Sequence, residues 1–580
     1  MKQVLELGRV KQVLAQIFKT AIQKSFGEIA NDCDPMIQLS SRKEFGDYQA
    51  NFAMRLAKQL NKKPIEVAMQ VVQNLNDKKL FKSLEPSGPG FINIFLNDEF
   101  LAERLKLLVN DSRLGIQKHP APENVVVDYA NANVAKEMHV GHIRSIVIGD
   151  AIVRILDFLG HDVIRQSHLG DWGTQFGMLI EYLFEIGEQN APHAVSDLDP
   201  LYKKSKAKFD ADPDFAEKAR QRVVALQNGD AETLVIWNKL VKESLQYFQK
   251  IYEKLDVLIT EEDARGESFY NPMLAQTVAE LMEVGLAHND EEAIVVPLEE
   301  FPIPYLIRKK DGGYLYATTD LAAAKFRVET LKAKRIIYMT DARQKQHFAM
   351  LFATLAKTKW LPENIRLEHI PFGAILGKDN KPFKTRSGEL IKLITLLEEA
   401  EKRAEEIAHE KNANLSSEQI KKIAHDIGIG ALKYADLRSD KIKDYVFDWE
   451  KLLSFEGNTA PYLQNAYVRI RAIFRKGSVE LKDIQNAEMI LLTEVEHALA
   501  IKILNFPDVI YSVSENLSLH SLCDYLYDLA ATYHKFYENC PILSNEDKKI
   551  RDSRLLLSDL TAKTLQLGLD LLGIKTLELM

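Results

Sequence analysis

Between Val125 and Ile164 the chain has the pattern of the first unit of an open parallel sheet, and no other stretch constrains the fold as tightly. Val125-Val126-Val127 is a short β-branched run that reads as a strand. From Ile143 to about Leu159 the apolar residues Ile143, Ile146, Val147, Ile152, Ile155 and Leu159 recur at helical spacing. Gly160 closes the helix, and Val163-Ile164 starts a second strand. Strand, loop, helix, strand is the repeating unit of α/β folds. Ligands of such sheets sit beyond the carboxyl ends of the strands, where helix N-termini turn unpaired N–H groups and a partial positive charge towards phosphates. Here the loop at that edge runs from Asp128 to His142 and contains Asn133, Lys136, His139 and Gly141.

Each residue type has a use there. Gly141 has no side chain, so a flat adenine can lie against the backbone. The N–H groups of His139 and His142 can stabilise charge that develops on a triphosphate attacked at its α-phosphorus, and Lys136 adds a mobile cation. A bare His-x-Gly-His is a weak four-residue pattern; its weight comes from its place between strand and helix, with Asn133 and Lys136 ahead of it.

Ala135-Lys136-Glu137-Met138-His139-Val140-Gly141-His142-Ile143-Arg144-Ser145 resembles the signature region of the class I aminoacyl-tRNA synthetases, specifically the bacterial arginyl type. The likeness runs through essentially the whole chain. It implies an α/β fold in which a Rossmann-like nucleotide-binding catalytic domain carries an α/β N-terminal appended domain and an all-helical C-terminal anticodon-binding bundle. It also implies the activity: ATP-dependent ligation of L-arginine to tRNA(Arg) through an arginyl-adenylate, with release of AMP and pyrophosphate. Mg²⁺ would come with the nucleotide rather than occupy a dedicated protein site. The family is usually monomeric, and tRNA is implied as a requirement of the first step.

Composition agrees with a large enzyme of cytoplasmic type. At 580 residues, 46% hydrophobic and 27% charged, the chain is long enough for three or four domains with substantial cores. No stretch approaches the ~20 apolar residues of a membrane helix. Met1-Lys2-Gln3-Val4 leads into an amphipathic pattern instead of a signal sequence. Cys33, Cys523 and Cys540 lie too far apart for a disulfide framework or a cysteine-rich zinc site. A net charge of −8 argues against wholesale coating of nucleic acid, yet permits a tRNA held by local basic patches, since screening confines phosphate attraction to about 10 Å.

The expected division is 1–115 for the tRNA-contacting N-terminal domain, 116–388 for the catalytic domain with a helical insertion at about 191–251, 389–455 for a helical connection and 456–580 for the anticodon-binding domain. In the first region, helical patterns cover Leu5 to Phe26 and Tyr48 to Leu60, and Pro86-Ser87-Gly88-Pro89-Gly90 precedes a strand at Phe91–Phe95. The loop from His168 to Gly177 lies at the same ligand edge as the histidines. Its glycines fit a tight turn with several positive φ angles as well as they fit substrate contact.

An arginine side chain is a planar fork of five donors that is always charged, so its recognition calls for a carboxylate with phenol or amide acceptors. Tyr316 and Asp320, four apart, share one face if a helix begins there. The resemblance assigns this pair to the guanidinium and places Asp128, Asn133 and Gln344 around the rest of the amino acid; Glu267 is a further candidate carboxylate. A plain helix cap at Asp320 and a core role for Tyr316 are the structural alternatives. A pocket of this kind rejects an analogue lacking the guanidinium by about 10⁴ or more, which makes editing unnecessary.

After a strand at His369–Leu376 comes a basic loop with Lys378, Lys381, Lys384 and Arg386, entering a helix from Leu390. Cations at a helix N-terminus make a phosphate clamp. The loop departs from the class signature Lys-Met-Ser-Lys-Ser and instead resembles the Phe-x-Thr-Arg-x-Gly text of bacterial arginyl enzymes, in which Lys136 would take over part of the missing lysine's role. The rest is helical. Tyr462, Tyr467, Arg469, Arg471, Arg475, Tyr533, His534, Phe536 and Tyr537 are of the types that stack bases and hold phosphates, with Tyr462, Arg469 and Tyr537 the chosen tRNA contacts, although aromatics at helical spacing also build cores.

Two other classes are compatible with the histidine motif. A small-molecule nucleotidyltransferase shares its logic but has no use for about 200 helical residues or an appended domain. A catalytically dead RNA-binding relative would be expected to lose His139, His142 or the arginine-pocket residues, and all are present.

Overall fold

The computed structural model describes residues 9–75, 77–187, 195–310, 312–384, 390–411 and 415–580. The N-terminal region packs helices α1 (Val10–Phe26), α2 (Ala53–Leu60), α3 (Pro64–Gln73) and α4 (Asp98–Leu108) around an antiparallel sheet. Its strands β1 (Ile37–Leu39), β2 (Tyr48–Ala50), β3 (Phe81–Ser87) and β4 (Phe91–Leu96) lie in the order β1-β2-β4-β3. The helical pattern from Tyr48 is therefore a strand first and a helix only from Ala53. Tyr48 and Ala50 alternate into the core as a two-residue period requires, and β4 supplies the hydrogen bonds. The expected start of α1 at Leu5 lies outside the described residues.

The catalytic sheet is all parallel: β5 (Asn124–Asp128), β6 (Asp162–Gln166), β10 (Arg335–Asp341) and β11 (Arg366–Phe372), in the order β11-β10-β5-β6. Val125, Val126 and Val127 of β5 are fully buried, as a strand covered on both faces must be. Helix α5 (His142–Phe158) connects β5 to β6. The chain then passes through α6 (Thr174–Glu185), α7 (Val195–Ala211), α8 (Pro213–Gln227), α9 (Ala231–Leu255) and α10 (Asn271–Glu283). A three-stranded antiparallel sheet follows, β7 (His288–Asp290), β8 (Ala293–Val296) and β9 (Tyr305–Arg308), and then α11 (Tyr316–Glu329). The first connection from β5 runs to β6 on one side, whereas the second half adds β10 and β11 on the other. The order of strands thus reverses between β5 and β10, and the crevice at such a reversal is where open α/β sheets bind ligands.

Helix α12 (Lys345–Lys357) joins β10 to β11. The strand expected at His369–Leu376 is divided, because β12 (Ile375–Leu376) leaves the main sheet to pair with β13 (Tyr445–Val446). The remainder is helical: α13 (Leu393–Lys411), α14 (Ser417–Leu437), α15 (Ala460–Gly477), α16 (Glu494–Asn516), α17 (Leu519–Asn539) and α18 (Lys548–Leu571). Buried ion pairs fasten the parts together. Arg144 of α5 meets Asp436 of α14 at 2.8 Å, and Arg335 of β10 bonds both Glu368 and the Ser514 carbonyl of α16. On the N-terminal side, Arg9 pairs with Asp508, and His497 of α16 holds Asp47 at 2.8 Å and Asp98 at 2.7 Å, one on each ring nitrogen.

Candidate active site

The loop from β5 to α5 leaves the sheet at the reversal. Its two imidazoles lie against each other with ring centres 4.0 Å apart. His139 Nδ1 accepts the Gly141 N–H at 3.1 Å, and His142 Nδ1 accepts the His139 N–H at 3.0 Å. His139 Nδ1 accepts a backbone proton, which puts that ring's own N–H on Nε2, whereas His142 Nδ1 faces both the His139 N–H and, at 3.2 Å, the His139 carbonyl. Burial pushes the His142 pKa down to about 3, with further lowering by His139; burial also lowers His139, helped by the nearby Arg343 charge. The pair is therefore a set of neutral N–H donors at neutral pH. Gly141 also has a steric reason of its own. A Cβ there would come within 2.9 Å of His139 Cε1, so the space above the glycine belongs to the His139 ring.

Lys136 carries its ammonium over the ring of Tyr202 on α7, 4.2 Å from the centre. Nothing in the sequence pairs these residues, because the insertion brings Tyr202 in from another part of the chain. Asn133 is exposed at the crevice, with Gly170 packed so closely that a Cβ there would fall 2.1 Å from Asn133 Oδ1. In the loop 168–177 only Gly173 has a positive φ, of +100°, so close approach rather than turn geometry accounts for Gly170.

Asp320 and Tyr316 both lie on the first turns of α11, where Tyr316 is 60% exposed and free to meet a ligand. Asp320 accepts a hydrogen bond from His347 Nε2 at 2.6 Å and stands 3.7 Å from His168 Nε2. Burial opposes its ionisation, but His347, His168 and Arg327 hold its pKa below the usual carboxylate range. Glu267 faces the same pocket, and burial, reinforced by Asp320 and Asp171, pushes it up to about 8. Asp128 is buried, with Oδ1 accepting from Asn131 Nδ2 at 2.8 Å and Oδ2 meeting Arg327 at 2.6 Å. Arg327 is fully buried and also donates to Gln166 at 2.6 Å. Sequence reasoning missed Arg327, although it follows Asp320 by seven residues and so shares its helix face. Gln344 is exposed in the short turn between β10 and α12, next to Arg343, whose charge reaches His139.

Of the basic loop, Lys378, Lys381 and Lys384 are exposed, and Lys378 meets Asp448 at 3.4 Å; Arg386 lies outside the described residues. The loop is tied at both ends. Phe383 stacks on Phe447 with ring centres 4.6 Å apart, while the exit strand gives the Ile391 carbonyl to Val140 N–H and takes the Met138 carbonyl at Leu393 N–H. The phosphate-loop exit is thus bonded directly to the histidine motif.

In the C-terminal bundle Tyr462, Arg469, Tyr533, His534 and Tyr537 line one cavity of about 930 Å³. Tyr467 and Phe536 are buried, and Arg471 pairs with Asp559 at 2.7 Å. The structure therefore separates residues that the sequence left in one group: those on the cavity wall and those in the core or in an internal ion pair. Among the described residues no cluster of three or more His, Cys, Asp or Glu is arranged to hold a metal ion, and no helix is long and apolar enough to cross a membrane.

A reversed parallel sheet with neutral His-x-Gly-His donors at its crevice, together with the family match over residues 104–449, makes this a class I aminoacyl-tRNA synthetase catalytic domain. Residues 104–449 match the family model described as "tRNA synthetases class I (R), catalytic domain". Residues 12–96 match the arginyl-tRNA synthetase N-terminal domain, and residues 463–580 the DALR anticodon binding domain. The arginine–tRNA ligase of Pasteurella multocida is 50% identical over 554 residues, covering 94% of this chain and 98% of that protein. That of Escherichia coli is 48% identical over 556 residues, 95% and 96% of the two chains. The crystal structure of arginyl-tRNA synthetase from Plasmodium falciparum superposes with a TM-score of 0.85 at 32% identity, covering 98% of this chain and 99% of that one. The Thermus thermophilus enzyme shares the fold, with a TM-score of 0.81 at 23% identity over 98% and 100%. The chain belongs to the arginyl-tRNA synthetases.

Proposed function

We propose that this chain joins L-arginine to tRNA(Arg) for translation in two steps, with the residues of the β5–β10 crevice in defined roles. One observation carries the reading. Asp320 and Glu267 lie close enough for their charges to couple, and burial, with the Asp320 charge, drives Glu267 towards its neutral form. A guanidinium supplies a cation for the pair. Asp320 and Tyr316 receive the guanidinium, Glu267 completes the acceptor set, and Arg327, braced by Asp128, fixes the pocket's wall. Asn133 and Gln344 offer amide groups to the α-amino and carboxylate ends.

In the first step an arginine carboxylate oxygen attacks the α-phosphorus of ATP, and the bond to the bridging oxygen of pyrophosphate breaks, giving arginyl-adenylate. His139 and His142 donate ring N–H groups to the oxygens on which charge accumulates. Lys136 and the basic loop, Lys378, Lys381, Lys384 and Arg386, hold the phosphates. The triphosphate brings Mg²⁺ with it. In the second step a terminal ribose hydroxyl of the tRNA attacks the arginyl carbonyl, and AMP leaves. Tyr462, Arg469 and Tyr537 grip the tRNA at the bundle, the aromatic pair by stacking and the arginine by charge. We divide the chain into working parts at 1–115, 116–388, 389–455 and 456–580, and take it to act as a monomer in the cytoplasm.

Pyrophosphate exchange measured with each of the twenty amino acids, with and without bulk tRNA, tests this reading. Exchange with arginine alone is expected. Exchange with a different amino acid would overturn the substrate, and none under any condition would overturn the enzyme.

A further inference from the structure

The two oxygens of Asp320 have different surroundings. Oδ2 accepts from His347 Nε2 at 2.6 Å, whereas Oδ1 is 3.7 Å from His168 Nε2, beyond hydrogen-bond reach. His347 is itself fixed. The Tyr305 hydroxyl lies 3.2 Å from its Nδ1, and the rings of Tyr316 and Phe348 meet it edge-on at 4.8 and 5.2 Å. Tyr305 is buried and keeps its proton, so it donates to Nδ1 and leaves the imidazole N–H on Nε2, aimed at Asp320. The chain of bonds runs across three elements, from β9 through α12 to α11.

We propose that Tyr305 and His347 are positioning residues of the arginine pocket, holding Oδ2 of Asp320 so that the carboxylate meets the substrate guanidinium in a fixed orientation. The inference rests on the reading of Asp320 as the guanidinium acceptor. Its consequence is a form of specificity. The His347 bond takes one lone pair of Oδ2 and fixes the plane of the carboxylate, so the guanidinium donors that Asp320 does not take turn to Tyr316 and Glu267. A compact ammonium lacks the planar spread of the guanidinium and does not reach acceptors placed around that fork, which penalises it.

The groups facing Asp320 are His347 from α12, His168 beyond β6, Glu267 and Tyr270 from the turn before α10, Arg327 on its own helix, and Tyr305 and Tyr338 from β9 and β10. Burial pushes the Asp320 carboxyl up, and the His347 hydrogen bond is foremost among the contributions that bring it down. Without His347 the carboxylate becomes easier to protonate.

The test is tRNA-supported pyrophosphate exchange across a pH series with the full-length His347→Ala, His347→Gln, Tyr305→Phe and Asp320→Asn variants. His347→Ala is expected to raise KM for arginine by about 10- to 100-fold, leave KM for ATP within about twofold, and move the acid limb of kcat/KM for arginine to higher pH. His347→Gln, which keeps an N–H donor, recovers part of the arginine KM, and Tyr305→Phe shifts it in the same direction as His347→Ala by a smaller factor. If His347→Ala does not fold, these two variants carry the test. Arginine KM and acid limb unchanged in the folded His347 and Tyr305 variants, with Asp320→Asn defective, would overturn the proposal. Wild-type arginine binding by Asp320→Asn would instead sink the pocket reading on which it stands.

Discussion

Arginine binding is expected to expel a proton from Glu267. With its pKa pushed up to about 8, this carboxyl is roughly nine-tenths protonated at pH 7 in the empty pocket. A guanidinium remains charged throughout the accessible range, so its arrival favours the carboxylate and returns Glu267 towards ordinary carboxyl behaviour. Linkage then gives the size of the effect: about 0.9 proton released per arginine at pH 7 and about 0.5 at pH 8. Apparent affinity correspondingly improves about fivefold from pH 7 to 8 and about twofold beyond. Isothermal titration of arginine in buffers of different ionisation enthalpy measures the release directly, and Glu267→Gln should abolish it and flatten the pH dependence. The same shift acts on stability. Because the folded pKa lies above the ordinary value, the contribution is fully present at low pH and is lost as pH rises through about 8. The ligand-free thermal midpoint should therefore fall between about pH 5 and 8 and level off above, less so in Glu267→Gln. Binding enthalpies independent of buffer at pH 7, or an unchanged slope in Glu267→Gln, would refute the reasoning.

Removing either imidazole, His139→Ala or His142→Ala, should slow pyrophosphate exchange by about 10²- to 10³-fold. As both rings are neutral above the ordinary histidine range, the wild-type rate at saturating arginine should show no histidine inflection between about pH 6 and 8. Gly141→Ala drives a Cβ into the His139 ring and should cost about tenfold in the same assay with little change in thermal midpoint. At the domain junction, burial opposes the charge on His497, but Asp47 and Asp98 raise its pKa. Its contribution is therefore present below the unperturbed value and fades as pH rises through the folded one. His497→Ala should destabilise the protein by about 1 kcal/mol at pH 6, read as a thermal-midpoint deficit that narrows towards pH 9. In the bundle cavity, Tyr462→Ala and Tyr537→Ala should each weaken tRNA binding by about 1–3 kcal/mol. Arg469→Ala should reduce the salt slope of that binding by about one, with arginine and ATP KM values unchanged; filter binding across a salt series reads all three.

Local pattern was enough to locate the nucleotide edge. Val125–Val127, the periodic apolar residues of α5 and Gly160 specify a strand, a helix and its end through short-range rules, and the structure moves those boundaries by only a residue. Tyr316 and Asp320 were placed on one face by helical spacing, and the helix does begin at Tyr316. Local pattern misled where partners decide. Tyr48–Ala50 reads as helix until β4 pairs with it, and the division of β11 from β12 depends on β13, about seventy residues downstream.

By itself, then, the sequence determined the elements and the chemistry present at the ligand edge: two histidines, a glycine, a lysine and the aspartate-tyrosine pair. Tertiary structure alone decided which of those groups are free to act. It bound Asp128 to Arg327, set Lys136 over Tyr202, gave the space above Gly141 to His139 and made Glu267 reluctant to ionise. The physical reason is range. Secondary structure follows from neighbours a few residues apart, whereas hydrogen-bond partners, desolvation and charge coupling depend on residues that only folding brings within a few ångströms.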